Sequence, residues 1–230
     1  MAITGNRISV DDYLEITREN ICNRIGYITD TELSPRIAAL MDEYLDKAKS
    51  LVEPSYTYSI FDIRQVKESI VLIDDSIIFE SHVISQVLKP CTKVAIFTLT
   101  IGDRLEKMIA QLGDKGLIME SFILDAIASS LTEKAADFVH GIIGELAQLR
   151  GLSISRRFSP GHCDWDISQQ KLIFKALKGI SAGIQLSDDY LMKPEKSVSG
   201  IIGIGPHDSE VASCNPCKTC DKLTCTWRRT

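Results

Sequence analysis

The sequence lacks four things, and the first three each exclude a class of function or location. It has no long run of one charge: 26 Lys and Arg against 31 Asp and Glu give a net charge of −5 and a pI near 5.4. No basic block is long enough to follow a phosphate backbone, so nucleic acid is not an expected partner. It also lacks long apolar runs; the most continuous, VAIFTLTI from Val94 to Ile101, is far too short to span a bilayer. The N-terminus, MAITGNRISVDDY, has no apolar core of a secretory signal. A cytoplasmic protein with no membrane partner is therefore expected. Internal repeats are missing as well. What remains is an ordinary globular composition, 44% hydrophobic and 25% charged.

The elements alternate irregularly. Ser9 with the acidic residues after it predicts a helix through about Ile25, and Ser34-Pro35 predicts a second, with a cap followed by proline in the first turn. After Pro54 the pattern changes to strands at Thr57 to Ile63, Ser69 to Ile73 and SIIFE, then a short helix from Ser81 to Leu88. VAIFTLTI reads as a central strand covered on both faces. A helix follows at RLEKMIAQLG, and a proline-free helix runs from Leu117 to Leu149, with a small-residue section at Ala126 to Ser130. LSISRRF reads as a strand entering a loop, Ser168 as the cap of another helix, and Ser197 to Gly205 as a late strand containing glycines. The expected class is α+β, a mixed or antiparallel sheet with flanking helices. One domain is expected over residues 1–205, helical over its first 54 residues, and a Cys-rich tail follows over 206–230.

Two segments carry chemistry. The first is the loop RFSPGHCDW, Arg157 to Trp165. Arg157 offers a planar fork to a carboxylate. Pro160-Gly161 sets a tight turn that exposes main-chain groups, and Trp165 offers a flat face for an adenine or a sulfonium. Taken locally, the same residues also describe a plain turn beside a core tryptophan. Cys163 has no partner base in sequence and is read as incidental. The second segment is the tail. Of seven cysteines, Cys214, Cys217, Cys220 and Cys225 crowd together with the spacing C-x2-C-x2-C-x4-C. Thiolates so placed suit an iron–sulfur cluster or, alternatively, zinc; redox-active or unligated thiols are the third possibility.

Arg157-Phe-Ser-Pro-Gly161 resembles the R-x-x-P-G-Y motif of the reactivation (activation) domain of cobalamin-dependent methionine synthase. Two further segments agree in the same order: the helix at Ile123 to Ile127, and Leu191-Met-Lys-Pro-Glu-Lys-Ser-Val-Ser-Gly200. The sequence is similar above all to stand-alone proteins of that family, with DW and a Gln-rich helix start after the loop. His162 stands where the motif has tyrosine. The resemblance implies that fold and the binding of S-adenosylmethionine. The ligand would be held by Arg157 through its carboxylate, by the turn Phe158, Ser159, Pro160 and Gly161, and by His162, Trp165 and Ser199. Asp125 and Glu133 are candidates to hold the ligand's amino group. It further implies an enzyme-type role, methyl transfer from S-adenosylmethionine to reduced cobalamin during reductive reactivation of a methionine synthase-type methyltransferase. This sequence has no corrinoid-binding D-x-H-x-x-G, so cobalamin would belong to a corrinoid-binding partner, with an electron donor as a further candidate partner. The alternative is a non-catalytic S-adenosylmethionine-binding or metal-stapled interaction module.

Overall fold

A computed structural model describes residues 2–3, 16–26, 33–74, 76–207 and 210–218. Its helices are α1 (Arg18–Ile25), α2 (Pro35–Leu51), α3 (His82–Leu88), α4 (Arg104–Asp114), α5 (Ile118–Gln148) and α6 (Gln170–Ala176). Its strands are β1 (Ala2–Ile3), β2 (Ser55–Lys67), β3 (Ile70–Ile73), β4 (Ile77–Glu80), β5 (Lys93–Thr100), β6 (Leu152–Phe158), β7 (Gln185–Leu186), β8 (Met192–Lys193) and β9 (Ser197–Pro206). One sheet runs β4-β3-β2-β5-β9-β6, with β1 also on β2, and every pairing in it is antiparallel. The class is α+β, as the sequence predicts. Among the described residues no helix is long and apolar enough to cross a membrane.

The apolar run of β5 is central and covered on both faces. Ala95, Phe97 and Leu99 join a core with α1, α2, α4 and α5, whereas Val94 and Ile96 join a second core beneath α3 and α6. The long helix α5 is the main cover of the first face. Its alanines 126, 128, 135 and 136 are buried there, and its buried hydroxyls, Ser130 and Thr132, donate to their own helix at Ala126 O (2.9 Å) and Ala128 O (2.8 Å).

Two helix starts differ from the sequence reading. α1 begins at Arg18 behind Thr17, which is extended (φ −100°, ψ 162°) and forms a capping box with Asn20; the helix therefore does not run unbroken from Ser9, and Ser9 itself lies outside the described residues. At the other end of the chain, Asp166 rather than Ser168 is the cap. Its carboxylate accepts the Ser168 amide (2.8 Å) and opens a 3-10 turn, Ile167–Gln169, that continues as α6. The predicted cap of α2 is present, with the Ser34 hydroxyl accepting the Ile37 amide (3.3 Å). The start of the tail packs on the domain, since Val211 is fully buried in the second core.

Candidate functional site

Arg157 reaches its position because β6 carries a bulge. Ile154 pairs with Ile204 and Arg157 with Ile202, so β6 holds one residue more than β9 between those pairs. The Ser155 hydroxyl accepts the Gly203 amide (2.8 Å) and donates to Arg156 O (2.8 Å), while His140 Nε2 donates to Ser155 O (3.0 Å). The extra residue reverses the alternation. Arg157 therefore shares the α5 face with Ile154, and Phe158 turns into the second core. On that face Arg157 donates to Asp137 Oδ1 (2.7 Å) and Glu133 Oε2 (3.3 Å). Its side chain is 17% exposed against 55% and 64% for the carboxylates of Glu133 and Asp137, so the arginine is sheltered and its partners are wet.

The loop after β6 closes on itself. His162 N donates to Ser159 O (3.1 Å), Trp165 N to His162 O (3.0 Å) and Gly161 N to Trp165 O (2.7 Å). Gly161 adopts φ +90°, which L side chains rarely take. Asp164 ties the loop to the rest of the fold by accepting from Ser81 Oγ (2.6 Å), His82 N (2.7 Å) and Val83 N (3.3 Å) at the start of α3. Partial burial works to raise its pKa, but those hydrogen bonds outweigh it, and the net shift is below the ordinary carboxylate value. A lowered pKa stabilises the fold above the unfolded value near ~3.9 and loses that contribution as pH falls through the folded value. Asp164→Ala is expected to cost about 1 kcal/mol in urea unfolding at pH 7, with the gap to wild type closing as pH falls below the ordinary carboxylate value. An unchanged gap at low pH would show that its charge is not what matters.

Trp165 does not line the cavity beside Arg157. It is 1% exposed, its ring lies edge-on to Phe79 (centroids 5.1 Å apart), and its Nε1 donates to Gln169 Oε1 (3.1 Å). Gln169 in turn brackets Glu80 of β4: its Oε1 accepts the Glu80 amide (2.8 Å) and its Nε2 donates to Glu80 O (2.7 Å). The tryptophan anchors the loop to the sheet, and its face belongs to the core rather than to a ligand.

A cavity of about 540 Å³ opens where β6 stops. β6 ends at Phe158 opposite Ile201, so Ser197 to Ser199 of β9 extend past it. The cavity is lined by Glu133 and Ala136 of α5, by Arg157, Ser159, Pro160 and His162, by Ile167 and Gln170, and by the strap Tyr190 to Lys193. The Gln170 amide donates to Tyr190 O (3.0 Å) and holds the strap. Lys196 locks its far end, with Nζ on Asp125 Oδ1 (2.6 Å) and Ser129 Oγ (2.9 Å) and its amide on Glu106 Oε1 (2.7 Å). Asp125 is thus engaged with Lys196, outside the cavity lining, whereas Glu133 lines the cavity beside Arg157. Of the residues expected to bind ligand, Arg157, Ser159, Pro160, His162 and Ser199 line it. Ser199 Oγ is itself buried, without a hydrogen-bond partner.

The tail presents less. Burial raises the Cys91 thiol to about 12 and pushes Cys214, half-buried nearby, upward as well. Cys217 is half-buried, and its amide donates to Asn215 Oδ1 (3.1 Å). Cys220 and Cys225 lie outside the described residues, and among the described residues no three His, Cys, Asp or Glu side chains converge as metal ligands. An iron–sulfur or zinc site is not supported by this geometry.

No protein-family model matches the chain, and no curated protein sequence matches it. A solved structure does. The crystal structure of the MetH reactivation domain bound to AdoHcy aligns over 94% of this chain and 82% of that one, with a TM-score of 0.64 and 14% sequence identity. This chain has the fold of the MetH reactivation domain. At that identity the likeness establishes architecture alone.

Proposed function

We propose that the chain binds S-adenosylmethionine and its demethylated product, S-adenosylhomocysteine (AdoHcy), in the cavity at Arg157, as a divergent relative of the reactivation domain. The observation that carries this reading is convergence. Two of the segments singled out in sequence, RFSPG and the strand entry at Leu191 to Gly200, meet around one cavity with Glu133 and Ala136 of α5, in a fold whose solved counterpart was crystallised with AdoHcy. Arg157, flanked by Glu133 and Asp137, suits a zwitterionic amino-acid head, the guanidinium for its carboxylate and a carboxylate for its ammonium. The Phe158 to Gly161 main chain lies beside it.

The activity that follows is reductive methylation of a corrinoid carried by a partner protein. One electron from a donor takes the partner's cobalt from cob(II) to cob(I). Its electron pair then attacks the sulfonium methyl, the S–CH3 bond breaks as the Co–CH3 bond forms, and neutral AdoHcy leaves. This chain's share is to bind and aim the sulfonium. By spacing alone, Cys214, Cys217, Cys220 and Cys225 are the residues that would hold an iron–sulfur cluster, which would supply the one-electron relay, and a visible and EPR spectrum of anaerobically purified protein tests that role. Colourless protein holding stoichiometric zinc would end it.

Calorimetric titration with S-adenosylmethionine tests the binding claim. Saturable one-to-one binding is expected, and the absence of heat and of any thermal shift would end it. Methyl transfer to a corrinoid protein under low-potential reductant tests the activity; binding without transfer would favour the non-catalytic module.

A further inference from the structure

β9 carries a second cavity at its other end, on the α5 face, and no residue lines both cavities. Its volume is about 440 Å³, a size that takes a small molecule. Four adjacent strands line it: β2 through Tyr58 and Ile60, β5 through Lys93, β9 through Ile204 and β6 through Leu152. Register brings these together, since Lys93 pairs with Ile204 on one side and with Asp62, two residues past Ile60, on the other. Leu146 and Ala147 in the last turn of α5, with Arg150 just past it, complete the lining.

The walls are aliphatic, and the only charged side chains among them are cations, Lys93 and Arg150. Lys93 is held in an ion pair by Asp62, which does not line the cavity. Arg150 is exposed and makes no ion pair among the described residues. The C-terminus of α5 would repel an anion, but its carbonyls at Glu145, Ala147 and Gln148 accept the amides of Leu149, Arg150 and Gly151 (3.0, 2.9 and 2.9 Å). Tyr58 adds a neutral donor. It is 2% exposed, its ring is stacked on Tyr56, and its hydroxyl has no hydrogen-bond partner among the described residues. The unpaired hydroxyls of Thr98 and Ser199 are sealed from solvent, whereas that of Tyr58 keeps accessible surface. Burial raises the pKa of this phenol and the Arg150 charge opposes the rise, so the guanidinium acts at the hydroxyl. A phenol and a guanidinium, both without partners, are two donors that one carboxylate can accept. Aliphatic walls suit an alkyl chain behind that carboxylate and would not repay the desolvation of a polyanion.

We infer that this second cavity binds an aliphatic monocarboxylate of the fatty-acid class, its head on Tyr58 and Arg150 and its chain against Ile60, Leu146, Leu152 and Ile204. Calorimetric titration of the full chain with decanoate, and with decanol as the uncharged control, tests it. Saturable one-to-one binding of decanoate is expected, with decanol weaker by roughly tenfold or more. Tyr58→Phe and Arg150→Ala are each expected to weaken decanoate by roughly tenfold. Arg150 is exposed, so its variant reads binding without disturbing the core. Arg157→Ala, in the other cavity, is expected to leave decanoate affinity unchanged. No saturable binding by wild type overturns the assignment, as does decanol binding as tightly as decanoate. Affinity that survives both Tyr58→Phe and Arg150→Ala, or that is lost in Arg157→Ala, places the carboxylate elsewhere and overturns it too.

Discussion

Arg157→Ala is expected to lower AdoHcy affinity on the order of a hundredfold while leaving the thermal midpoint nearly unchanged. The two halves of that expectation have different causes. Glu133 and Asp137, the partners of Arg157, are more than half exposed, so the ion pairs contribute little to stability in water. The arginine itself is sheltered, and a carboxylate beside it gains a charge-assisted, bidentate bond. Removing the guanidinium also leaves two uncompensated carboxylates facing the ligand's own, so repulsion adds to the lost bond. Arg157→Lys restores the charge without the planar fork and is expected to recover only part of the affinity. Calorimetric titration of the three proteins decides it. Arg157→Ala binding within threefold of wild type would remove the arginine from the site.

The position of that arginine shows what the sequence could and could not disclose. LSISRRF reads as a strand, and the structure has that strand. Plain alternation would put Arg157 on the face opposite Ile154, under α3 and α6. The bulge that moves it is held by the Ser155 hydroxyl on Gly203 and the Ser155 carbonyl on His140, contacts distant in the chain that leave no mark on composition. Asp164 was hidden for the same reason, since its partners, Ser81 to Val83, are about eighty residues away. Trp165 reads equally as a ligand face or as a core ring, and the arrival of Phe79 from β4, distant in sequence, places it in the core. Local signals were legible where the decisive bond is local. The Ser34-Pro35 start is one such case, and the apolar run of β5 another. Asp166 and Ser168 are both good caps two residues apart, and which one acts depends on where the loop delivers the chain.

Gly200→Ala is the substitution expected to damage both fold and site. A Cβ there would lie 2.5 Å from Phe158 O, 3.1 Å from Ser159 Oγ and 3.2 Å from Phe97 Cε1. The serine can rotate away, but Phe158 O is main chain at the end of β6, paired opposite Ile201, and Phe97 is fully buried. Something in the backbone must therefore move. Overpacking of this kind costs about 2 kcal/mol, read as a lower urea midpoint at constant slope. The residues forced outward, Phe158 and Ser159, begin the ligand loop, so nucleoside affinity should fall in the same protein without any contacting side chain being removed. Gly141→Ala supplies the contrast: Gly141 lies inside α5 with nothing within 4 Å of the added atom, and the change should stabilise by roughly 0.5–1 kcal/mol with binding intact. If Gly200→Ala instead melts and binds like wild type, β6 and the loop yield at Gly200, and the close passage over β9 is not what fixes the site.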